Sequence, residues 1–101
     1  MRITLATALV LQAIARGHRH GFEIIDVTGY PTGTVYPALR RLEQAGYVRS
    51  EWERERVASR EARPQRRYYE ITAAGTRALE GALEPMRSLD GLQPLAPKPA
   101  R

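Results

Sequence analysis

The chain has 101 residues, enough for one small domain with a single modest core. It contains no cysteine, which excludes disulfide bonds and cysteine-ligated zinc sites. The formal net charge is +5 and Lys98 is the only lysine, so nearly all of the positive charge is arginine. Guanidinium groups match phosphate oxygens and the guanine edge, so this composition favours a nucleic-acid partner over an anionic membrane. An arginine-rich source genome would give the same bias, and the positions of the arginines must decide.

The N-terminal stretch MRITLATALVLQAIARG is typical of a buried amphipathic helix that ends at Arg16 and Gly17. Its more apolar face consists of Ile3, Ala6, Val10, Ala13 and Ile14. The opposite face consists of Thr4, Ala8, Gln12 and Ala15. Threonines break the apolar run, which lacks a signal-peptide cleavage site and is too short to span a bilayer. Together with the absence of cysteine, this favours a cytoplasmic protein that is not inserted in a membrane.

Two further short helices are predicted next in the chain. The second helix lies within residues 18–29 and is expected to end at Gly29. Its apolar residues are Phe22, Ile24, Ile25 and Val27. The third helix is predicted over residues 34–45. At helical spacing, the stripe that packs inward consists of Val35, Ala38, Leu39 and Leu42.

The outward face of the third helix combines small residues with arginines. It consists of Gly33, Thr34, Pro37, Arg40, Arg41 and Gln44, with Tyr36 at its flank. Small residues let the first turn approach base edges and its free N–H groups meet a phosphate, while the arginines reach phosphates or guanine. Pro37 crowds the carbonyl of residue 33, and the glycine there lets the backbone relax. A solvated helix face has the same composition, so this helix alone leaves both interpretations open.

Two strands and a last helix follow. Residues 47–55 and 66–72 alternate in the manner of strands on either side of an arginine-rich connection. Thr72 is expected to cap a helix over residues 73–89, and the proline-rich residues 91–101 are expected to be disordered. We therefore predict a mainly α fold with a small β-hairpin (α+β), namely a winged helix-turn-helix with three helices, a two-stranded wing and a C-terminal helix.

Two long runs, PTGTVYPALRRLEQAGYVRSEWE and RPQRRYYEITAAGTRAL, resemble the PadR family of bacterial transcription regulators. The resemblance covers roughly residues 3 to 90 and includes the proline within the third helix. It implies a winged helix-turn-helix repressor that binds an inverted-repeat operator in double-stranded DNA as a homodimer. In that family the third helix enters the major groove, and the wing lies along the backbone or the minor groove.

The helix face, the wing and the resemblance together predict the DNA contacts. The predicted DNA-binding residues are Thr32, Gly33, Thr34, Tyr36, Pro37, Arg40, Arg41, Arg60, Arg63 and Gln65. The connection between the strands, residues 54–65, departs from the family because it has no glycine. It is expected to be longer than usual, partly helical or mobile. Three glutamates in and next to this connection partly offset its arginines, namely Glu53, Glu55 and Glu61.

The resemblance also implies a dimer formed by the first and last helices, within a winged domain over residues 1–90. The predicted dimerisation residues are Ile3, Val10, Leu79, Leu83 and Met86. Pro85 is expected to interrupt the last helix. The alternative is that these apolar residues simply close the core of the monomer.

The remaining side chains offer little chemistry. His18 and His20 have no third ligand nearby, so we expect exposed histidines and no metal site, although His20 could touch a phosphate. Trp52 is expected to pack between the sheet and the helices, or to line a ligand site, since some PadR-like proteins respond to aromatic compounds or drugs. We predict no catalytic residues and no cofactor. The alternative function is a protein-interaction module whose basic face binds an acidic partner.

Overall fold

The structure, a computed structural model, describes the backbone of residues 1–92 and the side chains of residues 1–85. The elements in chain order are α1 (Leu5–Ala15), α2 (Gly21–Thr28), α3 (Thr32–Gln44), β1 (Val48–Trp52), α4 (Glu55–Arg60), β2 (Arg67–Ile71) and α5 (Ala73–Leu92). This order confirms the predicted winged helix-turn-helix. The tail that is expected to be disordered lies outside the described residues from position 93 onward, and α5 includes residues 91 and 92.

Helix α1 lies at the centre of the domain. Thr4 caps it, because its hydroxyl accepts a hydrogen bond from the Thr7 amide at 3.2 Å. The helix packs against α2, α3, α5 and β2, so most of its circumference is covered. Ala8 is buried although the sequence places it on the polar face, and Leu11 is fully buried as well. A helix contacted from several sides keeps only a narrow exposed strip, and the apolar residues in that strip leave little polar periodicity to detect.

Helices α2 and α3 form the helix-turn-helix. Helix α2 ends as predicted at Gly29, which has a φ of 77° in the left-handed region. Helix α3 begins at Thr32, two residues before the predicted start, with Pro31 in the N-cap position. Its predicted inward stripe is confirmed, since the residues buried on α3 are Val35, Ala38, Leu39 and Leu42. This stripe packs onto α1 and fixes which side of α3 faces outward.

The wing is an antiparallel pair in which Val48 lies opposite Ile71 and Trp52 opposite Arg67. The connection contains the short helix α4, so of the three expectations for this glycine-free segment the partly helical one holds. An isolated antiparallel β-bridge pairs His20 with Tyr68 on the outer side of β2. The wing is thereby attached to the residues that precede α2.

Helix α5 packs back onto α1. Thr72 caps it as predicted, because its hydroxyl accepts a hydrogen bond from the Gly75 amide at 3.0 Å. The expected interruption at Pro85 is wrong, because the helix continues through it to Leu92. A proline crowds the carbonyl four residues earlier, and that residue is Gly81, just as Gly33 precedes Pro37 in α3. No helix within residues 1–92 is long and apolar enough to cross a membrane.

Candidate nucleic-acid interface

The outward face of α3 begins with a helix end that has no side-chain cap. Pro31 offers no side-chain hydrogen bond there, and its carbonyl accepts from the amides of Thr34 and Val35. The N–H groups of the first helical turn have no intrahelical acceptors, so those of Thr32 and Gly33 point out of the helix end. Both residues are exposed. A helix N-terminus of this kind can hold a phosphate oxygen.

Arg40 and Arg41 supply the positive charge of α3. Both side chains are exposed, and neither makes an ion pair or a side-chain hydrogen bond within residues 1–85. Thr34 and Pro37 are half-buried on the same helix. Because no acidic side chain within residues 1–85 neutralises the two guanidinium groups, both are free on that part of the chain to meet an anionic partner.

Tyr36 leans away from that face, over the start of α2. A Cβ built on Gly21 would overlap the Tyr36 hydroxyl and ring, so only glycine leaves room for this contact. Tyr36 therefore bridges the two helices while part of its ring stays exposed. The predicted DNA-binding residues on α3 thus share one surface, with Tyr36 at its border with α2.

The wing divides its predicted DNA-binding residues into two groups. Arg60 is exposed, and like Arg54 and Arg56 its side chain has no partner within residues 1–85. Arg63 instead donates to both carboxylate oxygens of Glu53, at 2.6 and 2.9 Å. Gln65 donates from its amide to the Glu53 carbonyl at 2.6 Å. The polar groups of Arg63 and Gln65 are therefore hydrogen-bonded to Glu53 inside the wing.

Glu53 collects further hydrogen bonds and is itself nearly buried. It accepts from the Arg66 amide and from the Tyr68 hydroxyl, each at 3.3 Å. The hydrogen bonds from Arg63, with those of Arg66 and Tyr68, hold the pKa of Glu53 at about 2. From the sequence, Glu53 is expected only to offset the charge of nearby arginines. The pairing could not be read from spacing, because it joins residues on opposite sides of the folded connection.

A second network ties the wing to α3. Arg67 donates to the Ser50 hydroxyl at 2.8 Å, and Ser50 donates to Glu43 of α3 at 2.6 Å. The Arg67 guanidinium also lies 5.4 Å from the centre of the Trp52 ring. These contacts join α3 to both strands of the wing. The orientation of the wing therefore depends on its contacts with α3.

Trp52 is 59% exposed, so the expectation that it packs between the sheet and the helices is wrong. Although it shares strand parity with buried Val48, it lies at the end of β1, where only Arg67 covers it. Trp52 lines a cleft of about 440 Å³ together with Phe22, Tyr36 and Arg66. The alternative expectation, that Trp52 lines a site large enough for a ligand, therefore agrees with the structure. Phe22, 67% exposed beside it, carried no signal in the sequence.

The two histidines are half-buried rather than exposed. His18 lies 3.1 Å from a Glu23 carboxylate oxygen. Burial, and next the charge of Arg66, lower the pKa of His20, and its Nδ1 has no hydrogen-bond partner among the described residues. Its neutral form is favoured, which argues against a strong phosphate contact. Within the described residues, no three histidine or acidic side chains are placed to hold a metal ion.

The predicted dimerisation residues lie in different environments. Val10 and Leu79 are buried in the core of the monomer, and Leu83 packs against that core. Ile3 is half-buried, and the side chain of Met86 lies outside the described residues. The core-closing alternative therefore accounts for Val10 and Leu79. Leu5, in the N-terminal segment, is 56% exposed.

Comparison with known proteins agrees with this geometry. The structure aligns with a PadR family transcription regulator from Clostridium difficile at a TM-score of 0.75 and 22% identity, covering 88% of this chain and 94% of that chain. A PadR family transcriptional regulator from Eggerthella lenta gives a TM-score of 0.62 and 28% identity, over 87% and 80% of the two chains. No curated protein sequence matches. The family described as "Transcriptional regulator PadR-like family" matches residues 10–81, and the chain belongs to that family.

Proposed function

We propose that the chain is a DNA-binding transcriptional repressor that binds an inverted-repeat operator as a homodimer. The observation that carries the proposal is the pair of unneutralised arginines, Arg40 and Arg41, beside the uncapped start of α3. Exposed arginines of the wing extend the positive surface. Membership of a family of transcriptional regulators supports the same function, and a regulator of this kind acts in the cytoplasm.

In the proposed complex, α3 lies in the major groove with its first turn against a phosphate. Thr32, Gly33 and Thr34 are small enough for the helix end to approach closely. Arg40 reads a base edge or grips the backbone, and Arg41 and Arg60 contact phosphates. Most of the affinity comes from these phosphate contacts, while the few base contacts select the sequence.

The homodimer follows from the symmetry of the operator. An inverted repeat presents the same half-site twice, and a two-fold dimer offers one recognition helix to each. Bound across a promoter, such a dimer would block transcription. Exposed apolar residues at the start of the chain, including Met1 and Leu5, are available for the interface.

A small-molecule effector is part of the proposal. The cleft beside Trp52 has a volume of about 440 Å³, which falls in the range of small-molecule sites. It opens next to Tyr36, so an occupant would compete with DNA. Trp52 is the only tryptophan. Its fluorescence would change on titration with an aromatic carboxylate such as benzoate if the cleft binds one.

The test of DNA binding is fluorescence anisotropy with a labelled duplex from the region upstream of the gene that encodes the chain. Binding should weaken steeply with salt, with a slope of about −0.9 in log K against log salt for each phosphate neutralised. A scrambled duplex of the same length measures the non-specific share. Absence of binding at low salt would contradict the proposal and would favour an acidic protein partner for the basic face.

A further inference from the structure

We propose that Glu53, an acidic residue inside the basic wing, is a positioning residue that holds the wing in its DNA-binding conformation. The inference rests on the proposed function, because it assigns roles to wing residues in DNA binding. It also reassigns Arg63 and Gln65, which the sequence predicts to be DNA contacts. In this assignment both act through Glu53, and the exposed arginines of the wing contact the phosphates.

The geometry around Glu53 is that of a clamp. Four donor groups from three residues converge on its carboxylate: both Nη groups of Arg63, the Arg66 amide and the Tyr68 hydroxyl. Its backbone is used as well, since its N–H donates to the Arg66 carbonyl at 2.8 Å. The Glu53 side chain is only 8% exposed and that of Arg63 is 22% exposed. The carboxylate at the end of β1 thus binds the chain where it returns to β2.

The segment between these anchors needs support from outside itself. Helix α4 has six residues, too few to be stable in isolation. Ala62 follows it with a φ of 58°, a left-handed conformation that is unfavourable for a residue with a Cβ. The hydrogen bond from Gln65 to the Glu53 carbonyl fixes the next turn. Contacts to Glu53 therefore stabilise a loop that its own sequence does not favour.

The clamp separates two kinds of arginine in the wing. Arg63 is neutralised by Glu53, so its charge contributes little to the attraction of phosphates. Arg54, Arg56 and Arg60 have no partner within residues 1–85 and are exposed on the ordered loop. An acidic residue at a DNA-binding surface would by charge alone oppose binding. If Glu53 positions the wing, removing its charge must weaken binding instead.

The test is whether DNA binding becomes weaker or stronger when the charge of Glu53 is removed. Glu53→Gln keeps the shape of the side chain and removes the charge, and Glu51→Gln is the matched control. Glu51 lies two residues earlier in β1, is exposed and has no partner within residues 1–85. With the upstream duplex in anisotropy titrations, E51Q should strengthen binding by roughly two- to threefold, the scale of a surface charge. E53Q should weaken it by roughly three- to tenfold, because apparent affinity falls with the fraction of competent molecules.

A double-mutant cycle separates an internal role of Arg63 from a direct contact. If Arg63 acts through Glu53, then Arg63→Gln weakens DNA binding in the wild type and adds little in the E53Q background. Additive losses would show that Arg63 contacts DNA by itself and would overturn the assignment. Amide hydrogen exchange gives a second readout, since E53Q should accelerate exchange in residues 54–66 and leave α3 unchanged.

The outcomes distinguish this inference from the proposed function. If the wild type binds no duplex at low salt, the proposed function fails. If the wild type binds and E53Q binds equally or more tightly, only the positioning role is overturned. Should E53Q lose its cooperative thermal transition, Tyr68→Phe takes its place, because it removes one donor to Glu53 without a change of charge. Unchanged binding by Y68F would then overturn the inference.

Discussion

At the scale of single residues, the close contact with Tyr36 limits which side chain can be accommodated at Gly21. The Tyr36 ring occupies the space that a Cβ would need, and Gly21 is buried in the first turn of α2. In a helix without such a neighbour, alanine in place of glycine stabilises by about 1 kcal/mol. Here the methyl group must displace Tyr36 or separate α2 from α3. The close approach therefore outweighs helix propensity.

We expect Gly21→Ala to lower the free energy of unfolding by up to about 1 kcal/mol, because the methyl group displaces only the end of the Tyr36 side chain, which is 38% exposed and can turn outward. Gly81→Ala is the control, because Gly81 is also helical and a Cβ there meets nothing within 4 Å. Because Gly81 also lets the backbone relax at Pro85, the gain in helix propensity is offset, and that substitution should change stability by less than about 0.5 kcal/mol. Urea denaturation followed by circular dichroism measures both. Equal shifts for the two variants would contradict the proposed contact.

The most direct prediction for the proposed DNA interface concerns Arg40. Its side chain is exposed and makes no ion pair within residues 1–85, so Arg40→Ala removes only an outward interaction. DNA binding should weaken by about 1–3 kcal/mol if Arg40 reads a base, and sequence discrimination should decrease. Arg77→Ala, at an exposed position on α5, is the charge-matched control and should cost less. Unchanged anisotropy titrations for R40A would show that α3 is not the recognition helix.

Sequence reasoning succeeds at residues whose environment is set by their own helix. The buried stripe of α3 follows from its period, because one side of that helix faces solvent. It fails for Trp52 and Glu53, whose surroundings depend on how the connection folds back over ten or more residues. Alternation in β1 groups Trp52 with Val48 but does not show that Val48 is buried while Trp52, at the other end of the strand, is 59% exposed.

At the scale of elements, the wing is the part with the least intrinsic stability. Its connection has no glycine, only a six-residue helix and one left-handed alanine. The sequence therefore predicts three outcomes for it and could not select among them. The network around Glu53 that holds it depends on a carboxylate whose pKa is lowered by its hydrogen bonds to Arg63. The wing should accordingly be the most acid-sensitive element of the fold.

The pH dependence can be given a sign. The pKa of Glu53 is about 2, below its ordinary value of 4.5. The carboxylate therefore stabilises the folded wing fully above pH 4.5, and this contribution is lost as the pH falls from 4.5 towards 2. The difference in free energy of unfolding between wild type and E53Q should shrink across that window. A difference that is independent of pH from 4.5 to 2 would contradict the assigned ionisation of Glu53.

At the scale of the whole molecule, α3 and the wing combine exposed arginines with exposed aromatic rings. Arg40, Arg41 and Arg60 have no ion-pair partner within residues 1–85, Trp52 is 59% exposed, and Met1 and Leu5 form a separate exposed apolar group in the N-terminal segment. The net charge of +5 predicts an anionic partner from composition alone. Composition could not predict which arginines are paired internally. The dimer likewise stays a prediction, because Val10 and Leu79 serve the monomer core.

Leu5→Glu tests the proposed dimer. Leu5 is 56% exposed, so the substitution should leave the monomer folded, but a charge at a buried dimer interface is costly. Light scattering should give about twice the chain mass of 11.4 kDa for the wild type and a single chain mass for L5E. Val27→Glu is the control, because Val27 is 50% exposed on α2, outside the proposed interface, and should stay dimeric.

The same pair of variants connects the dimer to DNA recognition. A dimer holds two α3 helices at a fixed spacing, so loss of the dimer removes the simultaneous engagement of two half-sites. L5E should therefore bind an operator with two half-sites no more tightly than one with a single half-site, whereas the wild type and V27E should prefer the two-site duplex. If L5E is monomeric and retains that preference, the two recognition helices are not coupled through the N-terminal segment. A dimeric L5E would place the interface elsewhere on the chain.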